Sequence, residues 1–283
     1  MNELISTIEN GHVPALTVAL CVFSLVTVLV IFFFMPVYLC KVKGCKIKAY
    51  IIGCLVWFVF ASIIESLLHS IILSTAAGAV IQGNVWLFAL YGGFMAALFE
   101  EGGRFLAMKF LLKKEMSDKR NAIMYGAGHG GFEAIAILAA AMLSKIVLAV
   151  MINTGLISTT FEALKMLPEE SAIASLSGMA QLVTLPPYIF IIGLFERFAA
   201  IASHIAMSIF VWFAVKNRKP VLFAIAFLMH FFLDAATVVI SGFASNTIVL
   251  EVLIYVIVAI YVYLSVKLYK SEANNTAIIE EVQ

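Results

Sequence analysis

The chain has 283 residues, of which 63% are hydrophobic and 12% charged, with a net charge of +1. A mean hydropathy of +1.07 places it among polytopic membrane proteins and sets a soluble globular fold aside. Near-neutral charge, without a basic patch interleaved with aromatics, sets nucleic acid aside as a partner.

In chain order, the opening MNELISTIENGH lacks a basic n-region, and the apolar run after it is too long for a signal-peptide core, so it reads as a retained span. A hydrocarbon core of about 30 Å needs about 20 apolar residues to cross it. That rule predicts an all-α polytopic membrane protein with about seven transmembrane helices, at 14–39, 49–72, 85–112, 121–151, 183–215, 220–241 and 248–268. Residues 1–283 read as a single transmembrane domain with a catalytic-type core over about 85–241 and a polar cytoplasmic tail at 269–283. Cys21, Cys40, Cys45 and Cys54 crowd into the first two spans and their loop, with no second cluster to complete a zinc ribbon, and read as free thiols.

Lys41, Lys43, Lys46 and Lys48 follow the first span, Lys113, Lys114, Lys119 and Arg120 the third, Lys216, Arg218 and Lys219 the fifth, and Lys267 and Lys270 the seventh. The alternate loops at 73–84, 152–182 and 242–247 hold only Lys165. The positive-inside rule then predicts the N-terminus outside and the C-terminus in the cytoplasm. FEALKMLPEESAIASL, in the longest connection, predicts short interfacial helices, and Pro186 and Pro187 mark the start of the fifth span.

Polar residues inside the spans carry the chemistry. Four spans hold a pair at i and i+4, on one helical face: Glu100 with Arg104, His129 with Glu133, His204 with Ser208, and His230 with Asp234. At 1.5 Å per residue, Glu101 lies about 18 Å from Lys113, His129 about 13 Å from Arg120, His204 about 18 Å from Lys216 and His230 about 16 Å from Lys219. Four helices thus place polar groups at one depth, which predicts a shared cavity, because charge within a bilayer must face protein or water. The plainer alternative is that these groups pair only to fix helix contacts. Glu65 and His69 form another such pair, but about 25 Å from Ala49 along the second span they fall toward the outer leaflet and are set outside the site. Lys145, Glu196 and Arg197 read as residues that snorkel to the outer interface.

Carboxylates and imidazoles in a dry pocket suit general acid and base catalysis, with water activated by Glu and His. They equally suit a zinc ion held by His129, His204 and His230. No HExxH is present to decide between a zinc and a metal-free mechanism.

The series EEGGR at 100–104, YGAGHGGFE at 125–133, HIAMS at 204–208 and HFFLD at 230–234 resembles the YhfC family, bacterial membrane proteins classed as intramembrane metalloproteases and placed near the type II CAAX prenyl proteases and the PrsW proteases. The resemblance implies a multi-pass protease of the bacterial cytoplasmic membrane, acting on a peptide or membrane-protein substrate among lipid. It implies catalytic Glu100, Glu101, His129 and His230, with Arg104, Glu133, His204, Ser208 and Asp234 in support. Glu100 and Glu101 match the double Glu, Tyr125 and His129 the aromatic and its His, and His230 with Asp234 the terminal motif. EExxR here is one residue shorter than the CAAX-type EExxxR, so either Glu could be the base. Asp234 stands where Asn is common and, as an anion, cannot donate to an oxyanion. A proton-coupled transporter, a non-catalytic scaffold, and a haem protein with His129 and His204 as axial ligands are the rival readings.

Overall fold

A chain this apolar must satisfy its backbone polar groups internally, and in the computed structural model, which describes residues 1–243 and 247–272, helices alone do so. The chain order is α1 (Asn2–Glu9), α2 (Ala15–Lys43), α3 (Ile47–Leu73), α4 (Ala76–Gln82), α5 (Val85–Leu111), α6 (Arg120–Asn153), α7 (Ser158–Leu164), α8 (Glu169–Thr184), α9 (Ile189–Lys216), α10 (Pro220–Phe243) and α11 (Thr247–Glu272). Six of these (α2, α3, α6, α9, α10 and α11) are long and apolar enough to cross a membrane. A seventh span results if α5 is counted with α4, to which it is bent at 108°.

The expected spans are recovered with shifted ends. The fifth differs most: it begins at Ile189 rather than 183, because α8 stops at Thr184 and Pro186 and Pro187 occupy the gap, where they can neither donate nor continue a helix. The interfacial helices expected in the long connection are α7 and α8. Helices α1 and α4 were not foreseen, being too short to show as apolar runs. All four cysteines are free. The expected tail at 269–283 and the loop at 242–247 lie partly outside the described residues.

The chain divides into two compact units, Met1–Ile31 with Ile135–Arg197, and Phe32–Ala134 with Phe198–Gln283. In the first, α1 packs on α8, and a Cβ at Gly11 would lie 2.3 Å from Val183 Cγ1. There Asn153 clamps Val13 at both backbone groups, accepting its N–H at 2.8 Å and donating to its carbonyl at 3.0 Å. Arg197 pairs with its neighbour Glu196.

The second unit is built on two close helix pairs, α3 with the first half of α6 and α5 with α10. Pro36 sits inside α2 and has no N–H for the Phe32 carbonyl four residues back; the Tyr50 hydroxyl donates to that carbonyl at 2.7 Å instead. One bond thus repairs α2 and ties it to α3. Tyr261 of α11 likewise donates to the Met229 carbonyl of α10 at 2.9 Å, one residue before His230.

A candidate metal centre within the second unit

Close backbone approach creates the centre. A Cβ on Gly126 would lie 2.5 Å from Ile205 Cα, and one on Gly128 would lie 2.1 Å from the Tyr50 carbonyl oxygen. Helix α6 therefore lies flush against α9 on one side and α3 on the other, as small residues allow inside membranes. His129, next to Gly128, has no exposed surface. Helix α5 widens into π-type turns at Ala97–Glu101 and Ala107–Leu111, α3 does so at Trp57–Glu65, and α6 at Ile135–Ala139. Such turns alter the phase of side chains around a helix and recur at functional sites.

The structure brings together the predicted residues from all four helices. Glu101, Arg104 and His129 are fully buried, and Glu100, His204 and His230 expose at most 7%. The pairing crosses helices more than expected. Arg104 forms its ion pair with Glu101 rather than Glu100, and donates to His204 Nδ1 at 3.0 Å. Glu133 pairs with His204 Nε2 at 2.5 Å rather than with His129, whose Nε2 instead lies 2.8 Å from Glu100 Oε2. Ser208 donates to the His204 carbonyl of its own helix at 2.7 Å and stands beside Gly126, outside the cluster. His230 Nε2 and Asp234 Oδ2 keep an ion-pair distance of 3.6 Å, too long for a hydrogen bond. Two of the four i,i+4 pairs, Glu100 with Arg104 and His129 with Glu133, give way to other partners, because the rule considers one helix at a time. In a dry interior a charge takes the partner that best satisfies it, whichever helix supplies it.

These bonds fix two imidazoles. Nδ1 of His230 donates to Glu101 Oε1 at 2.8 Å, so its Nε2 lone pair is turned toward Glu100 Oε2, 3.9 Å away. His204 stands between Arg104, 3.0 Å from its Nδ1, and Glu133 Oε2, 2.5 Å from its Nε2. His204 Nδ1 also lies 3.9 Å from Glu100 Oε2. Tyr125 stacks on His129 with ring centroids 6.0 Å apart. One carboxylate oxygen is thus surrounded by nitrogens of all three histidines. Glu100, His129 and His204 offer ligand atoms that lie within 4.8 Å of one another. The sequence pointed to His129, His204 and His230 as ligands; the group of mutually close ligand atoms has Glu100 in place of His230, whose Nε2 faces Glu100 Oε2 at 3.9 Å.

Glu65, set outside the site from the sequence, is buried at 7% exposure. It is within electrostatic reach of Glu100 and His230, on a segment that packs against Ala97–Glu101. Its partner is His69, 3.1 Å away, whose other nitrogen lies 2.8 Å from the Tyr91 hydroxyl. The π-type turns at Trp57–Glu65 alter the phase of side chains around α3 at this point. The usable signal was there all the same: an intramembrane Glu and His on one helical face.

The family model described as "YhfC intramembrane metalloprotease" matches residues 25–262, which include every residue of the cluster. The chain is 35% identical over 227 residues to a protein of Bacillus subtilis (strain 168) described as "Uncharacterized membrane protein YhfC", covering 79% of this chain and 85% of that relative. No solved structure matches.

Proposed function

Because the chain belongs to the YhfC intramembrane metalloprotease family, we propose that it is a peptidase that hydrolyses a peptide bond in or beside the bilayer at the Glu100 centre. The observation that carries this reading is the convergence of His129, His204 and His230 nitrogens at 2.8, 3.9 and 3.9 Å on Glu100 Oε2. Ligand atoms on a tetrahedral zinc, each about 2.0 to 2.1 Å from the metal, stand about 3.3 Å from one another. The observed separations bracket that spacing, and three imidazoles with one carboxylate are a zinc-type donor set. Glu100, His129, His204 and His230 would hold the ion, with His204 Nδ1 giving up for it the hydrogen bond from Arg104. When bound, it supplies a Lewis acid that makes water nucleophilic near neutral pH and polarises a carbonyl.

The rest of the machinery belongs to the chain. Arg104 holds Glu101, Glu101 holds the His230 ring, and Glu133 holds the His204 ring, an arrangement that fixes ligand tautomers and raises ligand basicity. Glu101 is therefore a positioning residue rather than the base. Asp234, with 38% of its side chain exposed, is the carboxylate at the open edge. It takes the proton released as water oxygen bonds to the scissile carbonyl carbon, and passes it to the departing nitrogen as the C–N bond breaks. The 2.8 Å contact between His129 and Glu100 favours a second reading, a metal-free pair in which Glu100 itself takes the proton.

The proposed substrate is a membrane-embedded or lipidated peptide, and the basic loops support an orientation with the N-terminus outside and the C-terminus in the cytoplasm of a bacterial cell membrane. Elemental analysis of purified wild type, His129→Ala and His230→Ala is the test. About one zinc per chain in wild type, lost in both variants, supports the metallopeptidase. A metal-free wild type that still cleaves membrane peptides, and loses cleavage in Glu100→Gln, selects the metal-free pair. Absence of cleavage in the membrane fraction of cells with either metal status overturns the peptidase.

A further inference from the structure

At the lysine-rich ends of α3 and α6 lies a cavity of about 280 Å³ lined in part by Lys46, Lys48, Lys114, Glu115, Asp118 and Asn121. Its wall is firmly built. Asn121, 1% exposed, accepts the Lys46 N–H at 2.8 Å and donates to the Glu115 carbonyl at 3.3 Å, locking the two helix starts together.

The charges around the cavity are unevenly matched. Asp118 is engaged by Arg120, whose Nε and Nη2 each donate to it at 2.8 Å and whose hydrogen bonds hold its carboxyl below the usual carboxylate range. Glu115 Oε1 accepts from Lys48 at 3.0 Å, but Glu115 Oε2 is buried and receives no hydrogen bond. The ammonium groups of Lys46 and Lys114 make no ion pair among the described residues. The cavity thus has two exposed lysines at its rim and, in its wall, a carboxylate with one oxygen lacking a donor. A buried acceptor without a donor is costly, and a ligand carrying an anion beside an N–H cation would satisfy both sides.

The lysine-rich end of spanning helices is where headgroups lie. From the cavity rim, Ile47, Ile51 and Leu55 continue along one face of α3 at four-residue spacing, each about half exposed. We propose that this cavity binds a phospholipid with a primary-ammonium headgroup, of the phosphatidylethanolamine class. Its phosphate sits between Lys46 and Lys114, its ammonium donates to the Glu115 carboxylate, and an acyl chain lies along Ile47, Ile51 and Leu55. A choline headgroup has no N–H to donate, and a glycerol headgroup has no cation to match Glu115.

The test uses the full-length protein in nanodiscs containing equal parts of phosphatidylethanolamine, phosphatidylglycerol and phosphatidylcholine, with retained lipid counted by native mass spectrometry. Wild type should retain phosphatidylethanolamine preferentially. Retention should fall on the order of tenfold in Glu115→Gln and in Lys46→Ala/Lys114→Ala, each of which removes charge-assisted hydrogen bonds, and should persist in Lys41→Ala/Lys43→Ala. A variant-free arm guards against misfolding: stepwise N-methylation of the lipid should weaken retention by wild type as donors disappear. No preference in wild type, equal loss from all lysine pairs, or indifference to N-methylation each overturns the site. A preference for phosphatidylglycerol overturns it in favour of a purely anionic ligand.

Discussion

Two buried clusters in the second unit use the same chemistry and end differently. At the four-helix centre, Glu100 meets three histidines from three other helices. In the cluster of Glu65, His69 and Tyr91, the Glu and His are one turn apart on α3 and satisfy each other at 3.1 Å, with Tyr91 of α5 capping the ring at 2.8 Å. The local i,i+4 pair closes in the second cluster. In the first, two such pairs are abandoned for partners on other helices. An intramembrane pair that stays local has paid its desolvation cost with one neighbour, whereas groups that forgo local partners are held by packing in an arrangement poised to receive something else.

The comparison breaks most decisively at Glu100 and His129. His129→Ala should abolish metal retention and lower hydrolysis by on the order of 10²- to 10⁴-fold, measured by elemental analysis and single-turnover cleavage. Equal metal in the variant would mean that the convergence is only structural. Arg104→Ala comes next and acts on stability. It leaves Glu101 fully buried without its cation, at a cost of about 3 to 5 kcal/mol, read as a fall in melting temperature in detergent. Glu101→Gln sharpens the distinction between holding a ligand and being one. The neutral amide can still accept from His230 Nδ1, so metal affinity should weaken by about 10- to 100-fold, without the complete loss seen in His129→Ala.

Much of this was legible in the residues. The spans followed from apolar runs, and the meeting of His129, His204 and His230 followed from counting back to the nearest basic loop, because α6, α9 and α10 are regular helices over the counted stretches. Partner choice was not legible. Glu133 lies one turn from His129 in sequence, yet it is His204 that pairs with it, because Gly126 and Gly130 bring the α9 backbone against α6. The π-type turns at Trp57–Glu65 were not legible either, because composition does not announce them. The break at Pro186 and Pro187 was visible, but hydropathy carried the expected span across it.

The smallest expected effect tests whether the second cluster is as self-contained as its pairing suggests. His69→Ala removes the hydrogen-bond partner of Glu65, which is only 7% exposed. The unpaired carboxyl should cost about 1 to 3 kcal/mol, visible as a lower melting temperature. Metal content should not change, because no ligand atom is touched, and Tyr91→Phe should have a smaller effect of the same kind because it leaves the Glu65–His69 contact intact. Glu65 nevertheless lies within electrostatic reach of Glu100 and His230. If His69→Ala kept the melting temperature but lost metal or hydrolysis, the two clusters would be one functional unit, and the local pair on α3 would be part of the site rather than a satisfied structural contact.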